Sequence, residues 1–156
     1  MNTTILGLDK NKSENIVLGL NSLLANFQVY YQNLRGLHWN IRGKSFFELH
    51  VKFEEFYTDS QEKIDMIAER ILTLGGTPLH TFPEYTELSK VTIGKNISND
   101  VDSVNLVVNS LSELLKIERT ILDESGDAND EGTNSMMSDF IAEQEKTIWM
   151  LNSWLN

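Results

Sequence analysis

The sequence contains no cysteine. Disulfides and thiolate–metal sites are therefore excluded, and any metal site must be built from His, Asp and Glu. Proline is nearly absent. Pro78 and Pro83 are the only two, and they share one short stretch, which leaves long segments free to run as helices. Positive charge is scarce as well: 13 Lys and Arg stand against 23 Asp and Glu, for a net charge of −10. Nucleic acid and anionic membranes are poor partners for such a chain, because phosphates are neutralised by Lys and Arg. Cations suit it better. No window approaches 18 continuous apolar residues, so no membrane span is expected. The opening MNTTILGLDK lacks the basic and apolar regions of a secretory signal, so a cytoplasmic protein is expected.

Apolar residues make up 40% of the 156 residues, enough for the core of one domain over 1–156. Ile16, Leu20, Leu23, Leu24, Phe27, Tyr30, Tyr31 and Leu34 recur at three- and four-residue spacing, which predicts a helix from about Ser13, as N-cap, to about Asn40. Gly43 breaks it. Ser45-Phe46-Phe47-Glu48 has the form of a capping box and opens a second helix, to about Leu74, where Gly75-Gly76 stops it. Residues 75–98 form a long connection with room for a short helix near Pro83–Leu88. Extended chain advances about 3.3 Å per residue, so this connection can run the length of a bundle. A third helix is predicted from about Asn99 to about Glu124 on Val101, Val104, Val108, Leu111, Leu115, Ile117 and Leu122. A polar, acidic loop follows, then a fourth helix from about Thr133 to Leu155 through Met136, Phe140, Ile148 and Leu151. Short loop, long crossover, short loop is the connectivity of an all-α, ferritin-like four-helix bundle.

Two of the three histidines, His38 and His50, lie twelve residues apart on either side of Gly43. That spacing lets two imidazoles meet where a helix turns back on itself. His50 and Glu54 are four residues apart on one helix face, as are Asp65 and Glu69. From His50 to Asp65 is about 22 Å along a helix, so the two pairs cannot share one ion within one straight helix. A two-fold axis across the second helix would run a partner's copy antiparallel and bring the pairs together, twice over. His with carboxylates suits Fe(II), Mn(II) or Zn(II). Each residue also has a plainer reading: a satisfied core or interface histidine, or a solvated acidic face beside Arg70. His80, after Pro78, has no carboxylate at helical spacing and reads as a loop residue. The chain has no Glu-x-x-His, which argues against a di-iron site inside the bundle core.

Leu37-His38-Trp39-Asn40, Gly43, Phe46, His50, Asp65-x-x-Ala68-Glu69-Arg70-Ile71 and Gly75-Gly76 together resemble the Dps family of mini-ferritins. The resemblance implies hollow shells of twelve subunits, a homo-oligomer that oxidises Fe(II), preferentially with hydrogen peroxide, at sites across two-fold interfaces. Such a ferroxidase stores ferric mineral inside and limits oxidative damage. On this sequence the implied ligands are His38 and His50 from one subunit and Asp65 and Glu69 from its neighbour, with Glu54 where the family commonly has Asp. Trp39 is implied as a redox-active neighbour; its plainer reading is an aromatic helix end packed in the core. The acidic stretch Asp123–Glu131, with Asp127, Asp130 and Glu131, is implied as a pore lining at a three-fold axis, or else is a solvated turn. The family's DNA binding often uses a Lys/Arg-rich terminus. Here the first 14 residues carry only Lys10 and Lys12, so strong DNA binding is not expected. The competing readings are a DNA-compacting starvation protein with secondary iron chemistry and a helical oligomerisation module with no metal chemistry.

Overall fold

The computed structural model describes residues 2–156. Among them are five helices and no strand: α1 Lys10–Asn40, α2 Phe46–Thr73, α3 Phe82–Leu88, α4 Asp100–Asp127 and α5 Glu131–Leu155. None is long and apolar enough to cross a membrane. The four long helices form the bundle, and α3 rides on the crossover against α1.

Several ends differ from the sequence-based expectation for local reasons. The N-cap of α1 is Asp9, whose carboxylate accepts from the Lys12 N–H; Ser13 lies inside the helix and donates its hydroxyl to the Asp9 carbonyl. Ser45 precedes α2 but makes no capping hydrogen bond. Its hydroxyl reaches Asp100 at the start of α4 instead, at 3.5 Å. The acidic loop shrinks to Ala128–Asp130, because α4 continues through Asp127. Gly43 sits at φ +113° and Gly75 at φ +87°, a region that costs any residue with a Cβ.

The core is lined by Ile16, Leu20, Leu23, Leu24, Phe27 and Leu34 from α1 and by Phe53, Ile67 and Ile71 from α2. On α4 the register is Val104, Val107, Leu111, Leu114 and Ile121. Val101, expected inside, is 49% exposed, because the alternating three-four period of the buried stripe leaves it on the outer face.

The crossover is held by side chains rather than by its own structure. Asn21 on α1 donates to the Thr77 carbonyl and accepts from Leu79 N–H. Asn26, fully buried, accepts from Lys90 N–H at 2.8 Å and from the Ser89 hydroxyl. Asn33 donates to Thr92 O and accepts from Gly94 N–H. Three amides along one helix thus satisfy backbone groups of a chain that runs parallel to it. Asn26→Ala leaves the part-buried Lys90 N–H without its acceptor and empties a fully buried site, so stability falls by about 2 kcal/mol. Urea unfolding measures the loss. Amide exchange at Lys90 should accelerate more than exchange in the bundle core; equal acceleration everywhere would deny the clamp.

Candidate metal centre

The turn between α1 and α2 sets the first half of the site. Ile41 N–H closes α1 on Leu37 O, Arg42 N–H donates to Ser98 O of the crossover, and Phe46 N–H returns to Gly43 O. The last turn of α1 therefore lies against the first turns of α2, and His38 meets His50. The two rings stack with centroids 3.8 Å apart and planes 13° apart. Each Nδ1 faces the other residue's backbone carbonyl: His38 Nδ1 to His50 O at 2.6 Å, and His50 Nδ1 to His38 O at 2.7 Å. The His38 carbonyl is one of the last in its helix, without a helical donor of its own.

This reciprocity selects one tautomer of each neutral ring. A carbonyl only accepts, so both Nδ1 atoms carry hydrogen, and in the neutral imidazoles both Nε2 atoms keep their lone pairs. Hydrogen-bonding one ring nitrogen to orient the other is how proteins prepare imidazoles for a metal. Phe46 stacks on the outer side of His50 at 4.9 Å, and Tyr57 sets its edge on His38 at 5.4 Å. The rings cannot swing without disturbing both aromatics. His38 is buried and His50 half-buried.

Glu54 is exposed, one turn beyond His50, and accepts a hydrogen bond from the Tyr57 hydroxyl at 3.3 Å. Partial desolvation, and secondarily the charge of Glu54, raise the Tyr57 phenol above its ordinary range. Asp65 and Glu69 are exposed further down α2. Phe47, Val51, Glu54, Asp65, Glu69 and Leu72 follow three- and four-residue steps along the face of α2 that turns away from the core. The apolar members, with Met66 beside them, are exposed. Among the described residues of one chain, no three His, Asp or Glu side chains come together as a metal cluster. The fold joins the two histidines and leaves the distal acids apart.

Trp39 is 58% exposed, which removes the core-packing reading within this chain. The Arg35 guanidinium lies over its ring at 4.9 Å. His80 is exposed, with Nδ1 against Pro78 O.

At the other end of the bundle the acidic residues divide. Asp127 and Glu131 are exposed. Asp130 is not free to line a channel: its side chain is 1% exposed, caps α5 at Thr133 N–H and pairs with Arg70 at 2.5 Å. A helix start and a half-buried guanidinium both use that carboxylate. Arg70, in the sequence stretch that carries the resemblance, is thus a structural tie between α2 and α5 rather than a partner of Glu69. The sequence reading also missed Glu118, Gln144 and Lys63, which lie buried in the bundle. Their signal was available, since each is a polar residue at a core position of its helix.

The ferritin family, described as a ferritin-like domain, matches residues 17–156. A DNA protection during starvation protein from Porphyromonas gingivalis is 42% identical over 150 residues, covering 96% of this chain and 94% of its own. The structure of a Dps protein from Vibrio cholerae O1 superposes with a TM-score of 0.97 at 50% identity, over 100% of this chain and 98% of that one; it is described as a member of a superfamily of ferritin-like diiron-carboxylate proteins. A Dps structure from Bacillus brevis gives 0.90 at 34% identity, over 94% and 98%.

Proposed function

The chain belongs to the ferritin-like family, among its Dps proteins, and from this footing we propose that it oxidises Fe(II) at sites between two subunits and stores the ferric product inside a shell. The observation that carries the reading is the locked histidine pair: two stacked imidazoles, each Nδ1 committed to the other's backbone carbonyl, with both Nε2 lone pairs kept for a ligand.

The remaining ligands come from a second copy. An antiparallel α2 whose two-fold passes close to Thr58 sets Asp65 opposite Val51 and Glu69 opposite Phe47, on either side of His50. The exposed Phe47, Val51, Met66 and Leu72 give that contact an apolar surface to bury. Each interface then holds two equivalent sites, with His38, His50 and Glu54 from one chain and Asp65 and Glu69 from the other. Carboxylates favour the ferric over the ferrous ion because they are hard anionic donors. Hydrogen peroxide taking two electrons from two Fe(II) ends as water, whereas one electron from a lone Fe(II) releases hydroxyl radical. A site that delivers electrons in pairs is therefore protective. Trp39, exposed beside His38, is placed to supply an electron when iron cannot.

The assembly is a shell of twelve single-domain subunits in the cytoplasm, and Asp127 and Glu131 stand where its acidic pores would draw in Fe(II). DNA compaction, suggested by the name of the Porphyromonas gingivalis relative, is the weaker reading. The chain is net negative at −10, and the Lys12 ammonium is already held by Asp127 O at 2.8 Å. The test is iron retention. After Fe(II) and then hydrogen peroxide are added, iron should co-elute with protein in a shell-sized peak, far beyond a few ions per chain. Iron-free monomer or dimer would remove both shell and storage.

A further inference from the structure

The bundle core carries polar groups that the proposed oxidation site does not use. Glu118 on α4 is fully buried between Leu114 and Ile121, at a position the core register assigns to an apolar residue. It accepts from the Gln144 side chain of α5 at 2.8 Å, while Glu118 Oε1 and Gln144 Oε1 have no partner. From α2, Lys63 enters with a side chain only 6% exposed; its ammonium is held by Asp59 at 2.6 Å and Glu143 at 2.7 Å, and lies 5.3 Å from the Phe140 ring centre. Tyr30 of α1 joins Asp59, Lys63, Glu143 and Gln144 around a cavity of about 30 Å³. Polar groups from α1, α2 and α5 line it, and Glu118 of α4 is joined to it through Gln144.

We propose that this cluster is a cation site filled by the chain's own Lys63 ammonium, which shuts divalent metal out of the bundle core at its solvent side, where the Asp59 and Glu143 side chains are 57% and 62% exposed. Two carboxylates, the Glu118 carboxyl once an ion displaces its proton, an amide oxygen and a phenol are donors of the kind a hard divalent cation takes. The two buried oxygens without a hydrogen-bond donor mark the same spot as short of positive charge. An ammonium on a four-carbon stem supplies that charge, and it occupies Asp59 and Glu143 in doing so. An incoming divalent ion meets like charge and finds two of its carboxylates engaged. A nearly buried ammonium is tolerated because it is paired and hydrogen-bonded. Arg119, whose guanidinium is drawn to Glu145 at 2.7 Å, is the other cation close enough to act on Glu118. The consequence rests on the function proposed above: with the core closed, Fe(II) has the subunit interface as its only oxidation site.

Manganese binding tests this without reference to iron oxidation. Lys63→Met removes the charge and keeps the length. In the full-length assembled protein, that variant should take up about one Mn(II) per chain more than the wild type, counted by the loss of the free-ion EPR signal. Lys63→Arg, which keeps a cation, should take up no extra Mn(II). Lys63→Met combined with Glu118→Gln should return to the wild-type count. Mn(II) should also raise the melting temperature of Lys63→Met more than that of the wild type. Lys63→Gln, whose amide can still bond Asp59 and Glu143, serves in place of Lys63→Met if the latter does not fold. An uncharged variant that folds and binds no more Mn(II) than the wild type overturns the proposal, as does extra binding that survives Glu118→Gln. Because the readout is core Mn(II), a failed interface site and a failed core site give different results.

Discussion

Shells assembled from equal amounts of His50→Ala and Glu69→Gln subunits should oxidise Fe(II) at about a quarter of the wild-type rate, while each variant alone stays below about a hundredth of it. His50→Ala removes one Nε2 donor and also loosens its neighbour, since the lost ring stacks on His38 and donates its Nδ1–H to the His38 carbonyl. Glu69→Gln keeps the shape of an exposed side chain and deletes its charge. Neither change touches the buried core, so assembly survives both. In a two-fold pair each site takes its histidines from one chain and its distal acids from the other. A mixed pair therefore contains one site with both substitutions and one with neither. Random pairing makes about half of all pairs mixed, and half of the sites in those are intact. Stopped-flow absorbance of the ferric product measures the rate after the two variants are unfolded and refolded together. A mixture no faster than its components would put the whole site within one chain.

The histidine pair was legible in the sequence because its geometry is local. Twelve residues with Gly43 between them span one helical turn-back, and the fold brings the two rings to 3.8 Å. The all-helical bundle was legible for the same reason: periodicity is a property of neighbours in sequence. What sequence could not show is what depends on distant partners. Asp130 reads as one more acid in an acidic loop until Arg70, sixty residues earlier, is seen to reach it. Asn21, Asn26 and Asn33 read as polar interruptions of α1 until the crossover lies over them. The tautomers of His38 and His50 were invisible, because they follow from two backbone carbonyls.

Glu118 was the more recoverable omission. Val104, Val107, Leu111, Leu114 and Ile121 define a three-four repeat on α4, and position 118 falls on it. A carboxyl there conflicts with its surroundings. Natural chains keep such conflicts where something other than stability is served, and the cluster of Glu118 with Gln144 and Lys63 is one such conflict.

Replacing Glu118 should change the pH dependence of folding more than any other single substitution in the core. Burial lifts its carboxyl to about 8, against the lowering influence of the Gln144 hydrogen bond and of the charges on Lys63 and Arg119. In the unfolded chain a glutamate titrates near about 4.3. Between those values the folded chain holds a proton that the unfolded chain has released. Stability therefore falls as pH rises through that window, and the full loss is present above about pH 8. At about 1.4 kcal/mol per unit of difference, the effect amounts to several kcal/mol. Glu118→Gln removes the titration, keeps the side-chain shape and supplies an N–H donor near Gln144 Oε1, which lacks one. At pH 5 the wild-type carboxyl is protonated when folded, and the two proteins should melt within a few degrees of each other. At pH 9 the variant should melt higher by on the order of 10 °C. Differential scanning calorimetry across that range decides it. Parallel melting profiles would mean that Glu118 stays ionised in the core, held by Lys63 as an ion pair, and that the proton is not part of the folded state.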